Sequence, residues 1–376
     1  MATLRRLLLG SHRWAGMILI PYVVLVGGTG AILVFKQEFQ RAAHPEFFAQ
    51  AAPDAGLADP ALVLENLRNA YPGFRITSLT WPTAARGTFL AYPSRNGDTR
   101  TAFAHAVSGT VLGELPRRSG VEWVREFHVY LFGGLPGLRV HGVLSGALAL
   151  TTLAGGVLWW LLPGRRYPGG RSGASERTSA RRIHRAVGSA TLGAVVMWSL
   201  TGVYFAYPAH FRAAVNAVTP ITVRQAPASR VPSGAHVARA DPRALVASAM
   251  AAVPGGRVVR YVLPSGVSGS ATIVLATANP ADSDTSDEIS CFFDQYTGEL
   301  LETRPQRRTT VGDHLMPWLL PVHAGRFETP LLRIAWSGLA LSLPLLALTG
   351  WIMRRPRRNT AASSRAAHTG VPLPLG

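Results

Sequence analysis

Four histidines recur at matched places in this chain of 376 residues. His12-Arg13-x-x-Gly16 is answered by His184-Arg185-x-x-Gly188, and at the same offset of 172 Thr29-Gly30 falls opposite Thr201-Gly202. His128 precedes Leu138-Arg139 and Gly156, while His323 precedes Leu332-Arg333 and Gly350, with a one-residue difference in the connection. Imidazole is the side chain that ligates transition metals while neutral, so paired imidazoles are the strongest chemical signal here. Self-similarity over this many positions reads as a duplication. The single cysteine, Cys291, excludes an internal disulfide and a cysteine-held iron–sulfur cluster.

The elements that must position these residues are apolar runs. Hydrophobic residues make up 48% of the chain and charged ones 15%, the latter well below the ~25% of an average soluble protein. The runs 12–35, 141–162, 184–207 and 331–353 are almost uncharged, each about the 20 residues a helix needs to cross the bilayer. A wholly soluble globular protein is excluded. A cleaved signal peptide is the rival reading of the first run, but its apolar core is too long and lacks a clear cleavage site.

The net charge of +18 is concentrated beside these runs. Arg5, Arg6 and Arg13 precede the first. Arg165, Arg166, Arg171, Arg177, Arg181, Arg182 and Arg185 crowd between the second and third, against only Glu176. Arg354, Arg355, Arg357, Arg358 and Arg365 follow the fourth. The long loops 36–138 and 208–330 are nearly balanced. By the positive-inside rule both termini and the short Arg-rich loop are cytoplasmic, and both long loops lie outside. That placement accounts for the basic charge without nucleic acid, for which no groove or module is visible.

Each long loop is expected to be a small α+β domain. The stretches 75–81, 87–92 and 101–107, and again 257–263, 271–276 and 289–293, alternate like strands and end in Gly-containing turns. Residues 57–70 and 242–252 read as helices before them. The fold class is thus a membrane all-α four-helix bundle with two outer α+β domains, built from a span–domain–span unit used twice. Its segments are 1–35, 36–140 with an interfacial helix, 141–163, 164–183, 184–207, 208–330, 331–353 and a disordered tail 354–376. Both halves start and end inside, as in a parallel repeat.

On this topology His12 and His184 sit at the cytoplasmic ends of spans one and three, and His128 and His323 just before spans two and four. Facing imidazoles from neighbouring helices hold a haem iron axially, so one pair at each level predicts two haems. Arg13, Arg182 and Arg185 adjoin the inner pair and Arg125, Arg139 and Arg326 the outer, where guanidinium groups suit haem propionates. Gly16, Gly30, Gly146, Gly155, Gly156, Gly188 and Gly202 leave room for a flat macrocycle, or else for close helix packing. A Zn, Cu or Ni site is the other use of such imidazoles. His141 and His314 stand as alternate outer ligands. His44, His105, His210, His236 and His368 have no repeat partner and read as surface residues.

These motifs resemble a known family. His12-Arg13-Trp14-x-Gly16, Glu126-Phe127-His128-x-x-Leu131-x-x-Gly134, His184-Arg185-x-x-Gly188 and Val322-His323-x-Gly325-Arg326-Phe327 look like its four signatures. Asp294-Gln295-Tyr296-Thr297-Gly298-Glu299 is similar to the closing turn of a PepSY domain. Over roughly residues 1–358 the chain resembles the PepSY-associated transmembrane (PepSY_TM) family, which includes the FoxB-type ferric-siderophore reductases of bacterial inner membranes. His105-Ala106-Val107-Ser108-Gly109 stands where the first domain's acidic turn is expected. The resemblance implies haem b ligated by His12, His184, His128 and His323, with Fe(III) of a ferric siderophore reduced to Fe(II) on the periplasmic face for iron acquisition.

The expected function is therefore a dihaem b oxidoreductase, a ferric-chelate reductase of the inner membrane. No nucleotide loop or flavin motif is visible, so a quinol or a separate reductase must supply electrons. The competing function is a non-enzymatic PepSY membrane module that binds or regulates a periplasmic partner. A metal transporter would favour acidic residues at mid-bilayer, and spans one to three contain none.

Overall fold

The computed structural model describes residues 2–48, 56–83, 86–116, 118–161, 176–222, 224–232, 238–277 and 285–355. The centre of the Arg-rich loop, the tail beyond 355, His236 and His368 lie outside the described residues. In chain order, α1 (Ala2–Ile18), α2 (Ile20–Leu33), α3 (Lys36–Ala43) and a 3-10 turn (Pro45–Phe48) lead to α4 (Pro60–Ala70). Strands β1 (Arg75–Thr80), β2 (Thr88–Arg95), β3 (Asp98–Thr99), β4 (Ala102–His105) and β5 (Val111–Glu114) precede α5 (Gly120–Tyr130), α6 (Gly134–Leu161) and α7 (Glu176–Ala206). Then come α8 (Pro208–Val218), α9 (Pro242–Ala252), β6 (Arg257–Val262), β7 (Ala271–Ala276), β8 (Thr285–Phe293) and β9 (Leu300–Arg307). Helices α10 (Val311–His323), α11 (Pro330–Ala340) and α12 (Ser342–Arg354) close the chain. These elements form two compact units, one drawn from 1–31, 133–206 and 328–376, the other from 32–132 and 207–327.

The first unit is helical. Gly134–Leu161, Glu176–Ala206 and Pro330–Arg354 are each long and apolar enough to cross a membrane. A fourth crossing is formed if α1 and α2 count as one span, and here the sequence reading needs correction. Residues 12–35 were expected to be a single helix; instead helix begins at Ala2 and turns by 63° at Leu19. Pro21 supplies the reason, since it has no N–H for the Met17 carbonyl and its ring crowds that turn. Pro344 likewise offers no N–H to the Ala340 carbonyl at the short break between α11 and α12, but Pro330–Arg354 remains one span and not a bent pair. Leu19, Val23, Val195, Leu343 and Ala347 form the buried core of this unit. Gly27 lets α2 lie directly on α12, because a Cβ there would stand 2.8 Å from Leu343 Cβ and Pro344 Cδ.

The second unit is built on one antiparallel sheet of nine strands in the order β5-β4-β2-β1-β6-β7-β8-β9, with β3 paired to β2. Each long loop supplies half of it, but the halves are not separate bodies, as the sequence reading had them. Strand β1 pairs with β6, Ser78 opposite Val262, Leu79 opposite Tyr261 and Thr80 opposite Arg260. Helices α4 and α9 cover one face, each capped by an aspartate: Asp59 accepts from Ala61 N at 2.9 Å and Asp241 from Arg243 N at 3.0 Å. Val63, Leu64, Leu67, Leu245 and Ala249 from these helices meet Ile76, Leu79, Phe89, Ile273 and Phe293 in one shared core. Arg243 pairs with Asp59, so the N-terminal ends of the two helices are tied by an ion pair.

Two facing histidine pairs as the candidate functional site

In the helical unit, His12 on α1 and His184 on α7 bring their rings to 6.3 Å, centroid to centroid, at 78°. Neither residue stands at a helix end, because α1 and α7 both begin well before them. His12 Nδ1 lies 2.9 Å from the Thr151 carbonyl. His184 Nδ1 lies 3.1 Å from the Leu346 carbonyl and 3.0 Å from Thr349 Oγ1. A carbonyl only accepts, so each ring proton sits on Nδ1 and donates outward, leaving the Nε2 lone pair for a ligand. This is how ligating imidazoles are oriented: the second nitrogen is pinned by a backbone acceptor.

The cradle is matched as well. A Cβ on Gly155 would lie 2.8 Å from His12 Cε1, and one on Gly350 3.7 Å from His184 Cε1. Thr151 and Leu346, Gly155 and Gly350, and His128 and His323 all share one offset of 195. The sequence comparison had set Gly156 against Gly350, a slip of one residue. Gly156 instead accommodates Leu192.

In the second unit, His128 and His323 face each other at 6.4 Å and 66°. His128 is near the end of α5, whose N-cap Ser119 accepts from Glu122 N. Glu122 fastens α5 to α3 through Lys36 Nζ at 2.7 Å and Gln40 Nε2 at 2.8 Å, and it also holds Arg125 Nε at 2.7 Å. Burial works to raise the Glu122 carboxyl, but the hydrogen bonds from Lys36 and Arg125 outweigh it and hold the group below the usual carboxylate range. Leu131 and Phe132 follow at φ 48° and 58°, a left-handed pair that turns the chain sharply after the histidine. Phe132 is kept there by Trp123 and Phe127, with ring centres at 4.6 and 5.3 Å.

His323 closes α10, and that helix is anchored by a residue sequence reasoning missed. Asp313 accepts from Thr222 N and Oγ1, both at 2.8 Å, and from Thr309 N at 3.2 Å, while Thr310 caps it. Burial opposes the charge, yet these donors press the Asp313 carboxyl far below its ordinary value. Thr310 at the N-cap with an acidic residue three positions on was the available signal.

Residues 9–357 match the family described as "PepSY-associated TM region". The chain belongs to that family. No curated protein matches it. This PepSY-associated protein is accordingly a multi-pass membrane protein, as its apolar helices also require.

The remaining predicted site residues fall as follows in the PepSY-associated chain. Arg13, Arg139 and Arg326 are exposed, and Arg185 is half-buried one residue after His184. Arg125 is engaged by Glu122 and, at 3.6 Å, by Glu126. His314 is exposed in the first turn of α10, well over two turns before His323. His141 is buried in the helical unit, where its Nε2 lies 3.4 Å from the Tyr22 hydroxyl, which in turn meets Ser145 Oγ at 2.8 Å. The structure thus brings together His12 with His184 and His128 with His323, and gives His141 a different neighbourhood. Among the described residues no three His, Cys, Asp or Glu side chains are grouped to hold a metal ion.

Proposed function

We propose that this protein is an inner-membrane dihaem b oxidoreductase that reduces a ferric siderophore at its outer side, releasing iron as Fe(II). The observation that carries the reading is the pair of repeat-related histidine contacts at 6.3 and 6.4 Å. A metal-bound imidazole nitrogen sits about 2 Å from the metal and the ring centre about 1 Å beyond it, so two rings approaching one ion from opposite sides would stand about 6 Å apart. Two nitrogens are too few for a closed zinc site, which takes four ligands. They would suit a haem, which brings the rest of the iron's ligands with it.

Haem b, when bound, supplies an iron that takes up and passes on one electron at a time. The protein's own residues do the rest. The Thr151 and Leu346 carbonyls hold Nδ1 of the two rings and leave the Nε2 lone pairs to a ligand, and Gly155 gives the His12 ring its seat. Arg13 and Arg185 on the inner side and Arg326 on the outer are placed in sequence to meet propionates. The proposed architecture is a four-helix bundle with two PepSY-like halves outside and both termini in the cytoplasm, as the arginine distribution favours. Lipid surrounds the spans, and a quinol or a separate reductase is the electron donor. Chelators that hold Fe(III) tightly hold Fe(II) poorly, so transfer of one electron weakens the complex and frees the metal.

The test is an absorption spectrum of the detergent-purified protein, oxidised and then dithionite-reduced, with a pyridine haemochrome for stoichiometry. A sharp reduced α-band and about two haems b per chain are expected, followed by reoxidation on adding a ferric siderophore. A colourless protein from haem-replete cells would overturn the reading and leave a PepSY module that binds a periplasmic partner.

A further inference from the structure

The inner histidines are held by matched carbonyls but not by matched hydroxyls. At the offset of 195 that relates Thr151 to Leu346, Thr349 falls opposite Ala154. His184 Nδ1 therefore meets a hydroxyl at 3.0 Å in addition to its carbonyl, whereas the equivalent place beside His12 holds a methyl group. Thr349 is 3% exposed, so water does not compete for its oxygen. Its direction is fixed by its other contacts. Thr349 Oγ1 lies 2.8 Å from the Leu345 carbonyl and 3.1 Å from that of Leu346. Both only accept, so the hydroxyl proton goes to them and the oxygen faces His184 Nδ1–H as an acceptor.

We propose that Thr349 is a positioning residue that fixes the His184 ring and makes the inner centre more reducing than its two histidines alone would. An acceptor on Nδ1–H pulls the ring toward imidazolate character and raises the basicity of Nε2. A more basic axial ligand stabilises the ferric over the ferrous iron and lowers the reduction potential, which favours passing the electron on. One hydroxyl thus breaks the two-fold equivalence of the inner site and gives the entry centre a stronger push. This role rests on the dihaem reading above and acts through His184, not through contact with any substrate.

The experiment is a spectroscopic redox titration of the full-length, haem-loaded protein in detergent. The inner component is identified as the one that His12→Ala removes. Thr349→Val keeps the branched shape but removes the acceptor, and the inner midpoint is expected to rise while the outer one stays. Thr349→Ser restores the acceptor and is expected to return the wild-type midpoint. Ala154→Thr adds the missing hydroxyl beside His12 and is expected to lower the inner midpoint, which keeps the test open even if Thr349→Val fails to fold. An inner midpoint unmoved by Thr349→Val and by Ala154→Thr would overturn the proposal, as would a serine variant shifted as far as the valine. A haem-free wild type would instead overturn the dihaem reading itself.

Discussion

Leu79 in β1 lies opposite Tyr261 in β6, and each is the other's counterpart in the duplicated chain. The offset of 182 that relates them also relates Asp59 to Asp241 and Gly73 to Gly255, the two glycines sharing a φ of 76°. Ser78 faces Val262 and Thr80 faces Arg260, so the register is symmetric about the Leu79–Tyr261 pair. The seam of the sheet is thus a local two-fold contact, self-complementary like the interface of a symmetric dimer.

Leu79 is fully buried at that seam. Leu79→Ala should cost about 2–5 kcal/mol, the range for emptying a buried leucine site. Because the sheet is continuous, the loss should appear as one lowered transition for the sheet unit in thermal unfolding. Two separate transitions, one unshifted, would show that the halves melt independently.

On the proposed dihaem reading, His12→Ala or His184→Ala should remove one haem of two and leave the other's spectrum intact. Gly155→Ala should act in the same direction, since the added Cβ would lie 2.8 Å from the His12 ring. Gly188→Ala should be tolerated, its Cβ meeting only Leu346 Cδ2 at an ordinary 3.5 Å. Haem stoichiometry of the four purified variants decides the point; equal loss of both centres would contradict two independent sites.

The closing turns of the two halves do the same work with different atoms. Asp294 Oδ1 accepts from Tyr296 N at 2.8 Å and Thr297 N at 3.0 Å. In the first half His105 Nδ1 accepts from Val107 N at 3.3 Å and Ser108 N at 3.2 Å, the same two positions further on. The imidazole therefore replaces the acidic residue expected there. Asp294→Ala should cost about 1–3 kcal/mol by removing a buried carboxylate that accepts three backbone N–H groups, with His105→Ala milder at its exposed site. His105→Asp should be tolerated, as read from unfolding midpoints.

Acid should loosen the sheet unit. Burial alone would raise the carboxyls of Asp313, Asp294 and Glu122, but their hydrogen-bond donors outweigh it and hold all three below the ordinary range. A carboxylate whose folded pKa is depressed stabilises the fold above its unfolded pKa of about 4, and that contribution fades as pH falls through the folded value. Stability should therefore be level with respect to these groups from about pH 7 to 5 and fall below about pH 4. Asp313→Asn should lower stability at neutral pH and flatten the acid limb in unfolding midpoints taken across that range.

Much of this was legible in the chain. The 172-residue offset announced that His12 and His184 are equivalents, and alternation placed β1, β2, β4, β6, β7 and most of β8. The bend at Leu19 was signalled by Pro21, yet a proline within an apolar run is compatible with a straight span when neighbours satisfy the freed carbonyl. The seam between β1 and β6 was not legible, because strand pairing across 180 residues leaves no local pattern. The same holds for Thr349, whose place beside His184 depends on how α12 is rotated. Gly155 was recognised as a small residue, but its true counterpart emerged only from which ring it touches.

The self-complementary seam has a consequence for descent. A half-chain carrying one span–domain–span unit and one such strand edge could pair with a second copy of itself, each copy bringing one histidine to each facing pair. In one chain the two counterparts of each position are encoded separately, so either can change without its twin. Histidine against aspartate at the closing turns and alanine against threonine beside the inner rings are where that freedom has been used.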